Sequence, residues 1–458
     1  AWTYRELLTA SAAFADALTQ ARNVSHRRLL VPADKRPETV VGICGAMLAG
    51  WTVACIDSKL PESHFAHAVA TIGAGGLLEG GGVSDQLAAA DPDGQIARFR
   101  AAHPAAMPHS DPADLVNPVS QAMPETLFNI AFTSGSTGRP KAAATRHRTY
   151  ADVIRRYVRD YHFSGDERVG IQSSFAYDGL MDLLSAFAVG GRAVLMPDDL
   201  FDDGPAWARF VRRCGITSIM LVPAALRFTL ESFGPGTRFP PMRRLVFTGD
   251  RMTGYELSLI RRFVPRSVRL TNCYATTEVF YGLHGTVDPS DPHEGTCLDP
   301  PSDDLPARLV PDAEDPNLHS LEVAPPAVFA GYLSAPDTLE DPLNADGYFD
   351  IGDLFRLTSS GKLKHVGRRD RRLKWNGFRI EAEEVEGAAL SMEDIYYAAV
   401  NINELGTLTL NYSSRKSLPL EGAVRRQLQR VLNIDISTNI EIRIIDQEYK
   451  SLARSLRS

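Results

Sequence analysis

The most informative stretch of the chain reads Phe132-Thr133-Ser134-Gly135-Ser136-Thr137-Gly138-Arg139-Pro140-Lys141. It follows a strand pattern at residues 127–132 and combines hydroxyl groups, two glycines and two cationic side chains. Glycines let backbone amides approach a ligand closely, hydroxyls donate hydrogen bonds, and Lys141 supplies positive charge against a polyphosphate. The spacing of the glycines and the lysine is not that of a Walker loop. We therefore predict a phosphate-binding loop from Thr133 to Lys141, with a flexible glycine-serine surface turn as the alternative.

Strand and helix patterns alternate on both sides of this loop. Short apolar strand patterns lie at residues 29–32, 53–57, 127–132, 192–196, 218–222 and 244–247. Helical spacing of apolar residues lies at 4–18, 39–49, 150–161, 181–187, 207–214 and 255–263. Such alternation with short links predicts an α/β fold built on parallel strands. Residues 80–114 have no clear period and predict a surface excursion.

The chain changes character after Pro289. Proline and aspartate are dense up to Asp315, and short strand patterns at residues 321–323 and 355–357 predict a small β subdomain. From Asp370 onward, a charged strand-turn-strand, a helix near residues 420–432 and a strand near residues 440–445 predict a smaller α+β domain. The predicted fold class is therefore α/β, with a large N-terminal domain of α/β subdomains plus the small β subdomain, followed by the α+β domain.

Composition narrows the class of partner. The 458 residues are 44% hydrophobic, which suffices for a large core, and the net charge of -7 argues against nucleic acid. The basic run at residues 367–372 predicts a solvated face. No apolar run is long enough to span a membrane, and the five cysteines form no CxxC pair that would indicate zinc. We expect a cytoplasmic protein with no membrane or nucleic-acid partner.

Further motifs precede and follow the loop along the chain. They are Trp2-Thr3-Tyr4-Arg5-Glu6-Leu7, Met47-Leu48-Ala49-Gly50-Trp51, Asn272-Cys273-Tyr274-Ala275-Thr276-Thr277-Glu278, Phe329-Ala330-Gly331-Tyr332-Leu333, Gly347-Tyr348-Phe349-Asp350-Ile351-Gly352-Asp353-Leu354, Gly367-Arg368-Arg369-Asp370 and Gly377-Phe378-Arg379-Ile380-Glu381. With these motifs the chain resembles the adenylate-forming superfamily of acyl-CoA synthetases, luciferases and adenylation domains of nonribosomal peptide synthetases, and the last of these most. The resemblance covers nearly the whole chain.

The resemblance implies a nucleotide site. Tyr274 would stack on adenine, Thr277 would bond the α-phosphate, and Glu278 would hold Mg²⁺, a hard cation that prefers oxygen ligands. Asp353 would accept the ribose hydroxyls, and Arg368 would be a second ribose or phosphate contact. Without neighbouring motifs, Tyr274 reads as a core aromatic and Glu278 as a surface carboxylate.

The resemblance also implies a hinge and a catalytic lysine. Asp370 falls at the family's hinge, which would divide the chain into a core of residues 1–369 and a mobile domain of residues 370–458. The family's lysine near the C-terminus stabilises the transition state, and Lys450 is the candidate although its usual sequence context is absent.

Asp178 is the candidate for binding the substrate's α-ammonium. Tyr177-Asp178-Gly179 resembles the pair with which the peptide-synthetase branch binds that group, because a buried carboxylate requires a cation. The alternative is a helix N-cap. Carrying over the branch's side-chain pocket gives Gly179, Asp182, Met220, Val246, Thr248, Cys273, Tyr281 and Gly282. If Asp182 faces the substrate, it favours a basic or hydroxylated side chain.

The leading hypothesis is a two-step ligase. The carboxylate of a small acid, in particular an amino acid, would attack Mg·ATP, release pyrophosphate and pass to the phosphopantetheine thiol of a carrier protein. An acyl- or aryl-CoA ligase is the alternative within the superfamily, in which Asp178 would only cap a helix. A catalytically degenerate nucleotide-binding module is the alternative of another class, motivated by the altered surroundings of Lys450.

Overall fold

The computed structural model of the chain describes residues 1–21, 24, 26–57, 60–80, 90–91, 94–102, 123–133, 141–291, 294–375, 378–402, 407–415, 420–432 and 440–444. The helices are α1 (Tyr4–Gln20), α2 (Pro37–Leu48), α3 (Glu62–Ile72), α4 (His147–Asp160), α5 (Gly179–Ala188), α6 (Gly204–Cys214), α7 (Pro223–Glu231), α8 (Gly254–Phe263), α9 (Ala382–Leu390) and α10 (Glu421–Leu432). The strands up to residue 286 are β1 (Arg28–Pro32), β2 (Thr52–Ile56), β3 (Gly76–Leu78), β4 (Ala97–Phe99), β5 (Leu127–Thr133), β6 (Lys141–Arg146), β7 (Arg168–Ile171), β8 (Arg192–Leu195), β9 (Ser218–Leu221), β10 (Arg244–Phe247), β11 (Arg269–Tyr274) and β12 (Leu283–Thr286). The later strands are β13 (Ala307–Pro311), β14 (Leu318–Val323), β15 (Gly331–Ala335), β16 (Thr338–Glu340), β17 (Phe349–Leu357), β18 (Leu363–Arg368), β19 (Arg372–Trp375), β20 (Phe378–Glu381), β21 (Ile395–Ile402), β22 (Leu408–Ser414) and β23 (Ile440–Ile444).

Local sequence signals fix several helix ends. Thr3 with Glu6 and Thr253 with Glu256 form complete capping boxes before α1 and α8, which satisfy free backbone amides. Gly215 ends α6 in the left-handed conformation that glycine adopts without steric cost. The six helical patterns of the first 263 residues are confirmed within a few residues.

An eight-stranded sheet carries the predicted phosphate loop. Its order is β16-β15-β6-β5-β2-β1-β3-β4. Strands β1 to β5 pair in parallel, whereas β6, β15 and β16 extend the sheet in antiparallel fashion. The predicted surface excursion at residues 80–114 is wrong for residues 97–99, which form the edge strand β4. Three residues are too few to display a strand period.

A six-stranded sheet follows, in the order β12-β11-β10-β9-β7-β8. It is parallel except for the β11–β12 pair. Every residue of β9 and β10 is buried, as expected where helices cover both faces of a sheet. Because β9, β10 and β11 are parallel, their carboxyl ends meet at one edge, the usual place for a ligand in such sheets.

The last third of the chain is richer in strands. Strands β13, β14, β17 and β18 form an antiparallel sheet in that order, which confirms the small β subdomain. Beyond it, the β19–β20 hairpin, a three-stranded sheet β21-β22-β23 and helices α9 and α10 form the α+β region. One hydrophobic cluster there runs from Trp375 to Ile442. The division at residue 370 and the mobility of this region stay predictions.

Candidate active site

The β5–β6 hairpin holds both ends of the predicted phosphate loop. Thr133 pairs with Lys141 across the hairpin, and residues 134–140 between them lie outside the described part of the chain. The ammonium of Lys141 lies 5.2 Å from the centre of the Tyr332 ring, within the range of a cation–π contact. Tyr332 comes from β15, the strand that pairs with β6. Lys141, the last residue of the predicted loop, is therefore held beside Tyr332 by the pairing of β6 with β15.

A tight turn after β11 presents Thr277 and Glu278. Thr276 and Val279 exchange backbone hydrogen bonds, and the Thr276 hydroxyl also accepts from the Val279 amide at 3.1 Å. The Tyr332 hydroxyl donates to Glu278 Oε1 at 2.6 Å. The same Tyr332 thus contacts both charged groups that are expected around the phosphates and Mg²⁺, the Glu278 carboxylate through its hydroxyl and Lys141 through its ring.

Tyr274 and Asp353 form the second part of this region. The Tyr274 hydroxyl donates to Asp353 Oδ2 at 2.6 Å, and His365 Nε2 lies 3.2 Å from the same oxygen. Arg368 Nη1 reaches the other oxygen, Oδ1, at 3.4 Å, a long contact. Burial and the Asp353 carboxylate raise the pKa of Tyr274 well above its usual value, so Tyr274 remains a donor. Strand pairing between β17 and β18 sets Asp353 opposite Arg368.

The predicted hinge lies among paired charges. Asp370 is in a short 3-10 turn (Arg369–Arg371), where its carboxylate accepts from Arg368 Nε at 2.9 Å, which lowers the pKa of Asp370. The neighbouring arginines pair with carboxylates: Arg369 with Asp312 and Asp350, Arg371 with Glu383 and Glu386, and Arg372 with Asp312, Glu314 and Glu381. Residues 368–371 are exposed, as the prediction of a solvated face requires, but the basic run is also paired with acidic partners distant in sequence.

Asp178 occupies the N-cap position immediately before α5, but its side chain makes no capping hydrogen bond. Its backbone is already helical, with φ -65° and ψ -17°, and its side chain accepts no capping hydrogen bond. Among the described residues the structure gives this carboxylate neither a hydrogen bond nor an ion pair. Burial raises the pKa of Asp178 to about 6. The capping alternative therefore has no support in the geometry.

Asp182 lies one turn further along α5 and is fully buried. Its Oδ2 has no hydrogen-bond partner, and its Oδ1 lies 3.5 Å from the Tyr157 hydroxyl. Burial and the nearby Asp178 carboxylate raise the pKa of Asp182 well above its usual value. Two neighbouring carboxylates thus lack a positive partner among the described residues.

The sheet brings four other predicted pocket residues together. Met220 and Val246 are register partners on β9 and β10, so their side chains lie on one face. Val246 pairs with Thr271 on β11, and Thr248 and Cys273 each lie two residues further along. Because every second side chain of a strand points to the same face, Thr248 and Cys273 lie on the face of Met220 and Val246. All four are buried, and burial raises the pKa of Cys273 to about 12, which keeps its thiol neutral.

The remaining predicted pocket residues lie around this face. Tyr281 packs in the same hydrophobic cluster as Cys273, and its hydroxyl donates to Asp160 at 3.0 Å. A Cβ on Gly179 would lie 2.3 Å from the Ser173 carbonyl oxygen, and one on Gly282 would lie 3.2 Å from that of Tyr274. Position 179 therefore requires glycine, because the backbone of the preceding turn leaves no room for a side chain. A role of Gly179 and Gly282 in substrate binding stays a prediction.

Two contacts of the site were absent from the sequence prediction. His365 and Tyr332 bind the Asp353 and Glu278 carboxylates, respectively. Tyr332 belongs to a motif that the sequence offers, whereas nothing local marks His365 except its place in a strand opposite Asp353. Lys450 lies outside the described residues.

Sequence comparison assigns the chain to a family. The sequence profile described as AMP-binding enzyme matches residues 1–333. The chain belongs to this AMP-binding enzyme family. Its resemblance to adenylate-forming enzymes is thereby confirmed, and it is an adenylate-forming ligase.

Relatives of this AMP-binding enzyme include a carrier-protein ligase, most of whose length the chain covers, and synthases of which it spans only a small part. It is 27% identical to an L-proline ligase for the L-prolyl-carrier protein of Streptomyces coelicolor, over 88% of the chain and 80% of that protein. It is 24% identical to surfactin synthase subunit 2 of Bacillus subtilis over 94% of the chain, but spans only 12% of that protein. It is 26% identical to phenyloxazoline synthase MbtB of Mycobacterium tuberculosis over 87% of the chain and 28% of that protein.

Solved structures share the fold. ATP-bound MatB from Rhodopseudomonas palustris has a TM-score of 0.79 at 18% identity, covering 99% of this chain and 93% of its own. The anthranilate CoA ligase AuaEII in complex with anthranoyl-AMP has a TM-score of 0.76 at 15% identity, covering 96% of this chain and 88% of its own. Within the described residues, no helix of this AMP-binding enzyme is long and apolar enough to cross a membrane.

Proposed function

We propose that this ligase activates an α-amino acid with Mg·ATP and passes the aminoacyl group to the phosphopantetheine thiol of a carrier protein. The observation that carries the proposal is Asp178, a carboxylate at the start of α5 with no described partner and a pKa raised to about 6. Asp178 is partly buried, and a carboxylate that has lost part of its hydration is stabilised by a cation, which the α-ammonium of an amino acid supplies. A fatty or aryl acid supplies none.

The nucleotide-binding region fits ATP. Asp353 already has Tyr274 and His365 on Oδ2, while Oδ1 has only the long Arg368 contact and can accept ribose hydroxyls. Tyr274 would offer its ring to adenine. Thr277 would donate to the α-phosphate, and Arg368 would remain beside the ribose.

Glu278 fits the role of a Mg²⁺ ligand. Tyr332 occupies Oε1, which orients the carboxylate and leaves Oε2 for the cation. The described residues contain no cluster of three or more potential metal ligands, which suits Mg²⁺ because this ion is usually held by one or two carboxylates together with substrate phosphates. Mg²⁺ would neutralise charge as pyrophosphate departs.

The reaction then needs little covalent chemistry from the protein. The substrate carboxylate attacks the α-phosphorus, the bond to pyrophosphate breaks, and an aminoacyl-adenylate forms. Lys141 and the loop that begins at Thr133 would hold the leaving pyrophosphate, and Asp178 would orient the acid for attack. In the second step a thiol attacks the acyl carbon and AMP leaves. The L-prolyl-carrier protein ligase and the peptide synthases among the relatives support a carrier protein as the acceptor.

Pyrophosphate exchange tests the proposal. The purified chain is incubated with ATP, Mg²⁺ and labelled pyrophosphate in the presence of single amino acids, fatty acids or aryl acids. We expect exchange with at least one α-amino acid and none with its desamino analogue. Exchange with fatty or aryl acids alone would contradict the amino acid substrate and favour the CoA ligase alternative, in which addition of coenzyme A should then yield the acyl thioester.

Lys450→Ala tests the degenerate alternative. We expect the variant to lose adenylate formation while ATP binding, measured by calorimetry, stays unchanged. If the unmodified chain binds ATP but forms no adenylate with any acid, the chain is a nucleotide-binding module and the proposed function is wrong.

A further inference from the structure

A groove on the outer side of α6 is lined by three arginines. Its volume is about 550 Å³, and its lining combines Pro205, Ala208, Arg209 and Arg212 of α6 with residues 235–238 of the loop that follows α7. This volume lies within the range of small-molecule binding sites. We refer to it as the arginine groove.

One wall of the arginine groove is a single stripe of α6. Pro205, Ala208, Arg209 and Arg212 are spaced i, i+3, i+4 and i+7, which places them on one face of the helix. Trp207, on the other face, is fully buried in the core. The packing of the helix therefore holds this stripe, with its two arginines, toward the groove.

The other wall is a tight turn that the sequence specifies. The Thr237 amide donates to the carbonyl three residues earlier at 3.0 Å, across Pro235 and Gly236, and the glycine has a φ of +83°. Proline followed by a glycine with positive φ is the pattern of a type II turn. Arg212 Nη2 donates to the Arg238 carbonyl at 3.3 Å, so the turn is also tied to the helix.

The arginine groove carries positive charge that the described residues do not balance. Arg209, Arg212 and Arg238 are exposed, and none of them has an ion pair in the described part of the chain. In the run at residues 368–372, by contrast, every arginine meets at least one carboxylate. Cations are favoured in the last turn of a helix, which accounts for Arg212 but not for the other two. Because neighbouring like charges are unfavourable for stability, this arrangement favours an anionic ligand.

The arginine groove is separate from the predicted active site. Helix α6 ends before β9, and the loop after α7 leads into β10. Arg212 and Arg238 therefore lie toward the amino ends of these parallel strands. The predicted pocket residues Thr248 and Cys273 lie instead at the carboxyl ends of β10 and β11.

We propose that the arginine groove binds a small polyanion that carries two or more phosphate or carboxylate groups. A guanidinium can donate two parallel hydrogen bonds to either group, and three guanidiniums in one groove match a ligand with several negative charges. The site does not depend on which acid the enzyme activates.

Modification of arginines by phenylglyoxal, followed residue by residue with mass spectrometry, tests this site. The full chain is treated in tripolyphosphate, in citrate or in sodium chloride at equal ionic strength, because salt alone screens exposed charges. We expect tripolyphosphate or citrate to slow the modification of Arg209, Arg212 and Arg238 at least about tenfold relative to chloride. Arg261 and Arg266 are exposed but lie outside the groove, and their modification should not change. Protection by only one of the two anions identifies the group that the groove binds.

Arg238→Ala and Arg261→Ala form a matched pair, because each removes one exposed arginine and Arg238→Ala keeps the backbone carbonyl that Arg212 binds. We expect Arg238→Ala to raise the concentration of the protecting anion that half-protects Arg209 at least about tenfold, and Arg261→Ala to leave it unchanged. Melting temperatures show whether both variants fold. Absence of protection, equal protection of Arg261 and Arg266, or equal effects of the two substitutions would overturn the inference.

Discussion

The carboxylates of the predicted nucleotide region and those of the predicted acid-binding region differ in the hydrogen bonds that the protein donates to them. Asp353 and Glu278 receive hydroxyl donors at 2.6 Å from Tyr274 and Tyr332. Asp178 and Asp182 receive no comparable donor from the described residues. The first pair is oriented by the protein itself, whereas the second pair has no short donor and no cation among the described residues. Under the proposed function, nucleotide binding then relies on preorganisation, and acid binding relies on carboxylates that the protein leaves unpaired.

The largest expected effect comes from removing the negative charge of Asp178. Asp178→Asn should lower kcat/KM for the amino acid by on the order of 1,000-fold, because the buried ammonium of the substrate loses its counter-ion, while the KM for ATP stays unchanged. Steady-state pyrophosphate exchange measures both. If Asp178→Asn changed only the KM for ATP, the assignment of Asp178 to the ammonium site would be contradicted.

Asp203→Ala is a matched control for this variant. Asp203 also precedes a helix, α6, but its side chain does cap it, accepting from the Ala206 amide at 2.8 Å. We expect this substitution to cost about 1 kcal/mol of stability and to leave the kinetics unchanged.

A smaller effect is expected where a donor to an oriented carboxylate is removed. Tyr274→Phe keeps the ring but deletes the hydrogen bond to Asp353, so the KM for ATP should rise about tenfold and amino acid selectivity should not change. Direct measurement of ATP binding by calorimetry checks the first part. Altered selectivity among amino acids would mean that the two regions are not independent.

The pH dependence of substrate binding should differ between the two regions. Burial raises the pKa of Asp178 to about 6, and only the ionised carboxylate attracts an ammonium. The KM for the amino acid should therefore be constant above about pH 7 and rise about tenfold per unit below pH 6. The KM for ATP is the internal reference, and Asp178→Asn should abolish the rise.

The smallest effect concerns stability. Because the pKa of Asp178 is about 6 in the folded protein against 3.8 ordinarily, the folded state binds this proton more tightly than the unfolded state. Asp178 therefore destabilises the fold progressively as pH rises from about 4 through 6. Asp178→Asn should raise the melting temperature by about 2 °C at pH 7.5, and the gain should vanish near pH 4. An equal gain at both pH values would point to a packing effect.

Much of this architecture follows from local sequence. Capping boxes, apolar periodicity and the strand-loop-strand around Thr133 give element positions to within a few residues. Ordered motifs name the residues that meet at the carboxyl ends of the parallel strands. The sequence also offers both aspartates of α5, since their i, i+4 spacing is visible without a structure.

What the sequence does not reveal depends on pairing across long separations. His365 binds Asp353 only because β17 and β18 pair in one register, and the arginines near Asp370 are neutralised by acids as distant as Asp312. Likewise, an N-cap and an unpartnered carboxylate look identical in a sequence such as Tyr177-Asp178-Gly179. Only the helical backbone angles of Asp178 and the lack of an amide that donates to its side chain distinguish the two possibilities.

The pairing of Thr133 with Lys141 has a consequence for engineering. The hairpin register sets which face of β6 each side chain occupies, and a shift by one residue would turn Lys141 away from Tyr332. An engineered change to this hairpin therefore has to preserve the pairing of Thr133 with Lys141 if the lysine is to stay on the face that carries Tyr332.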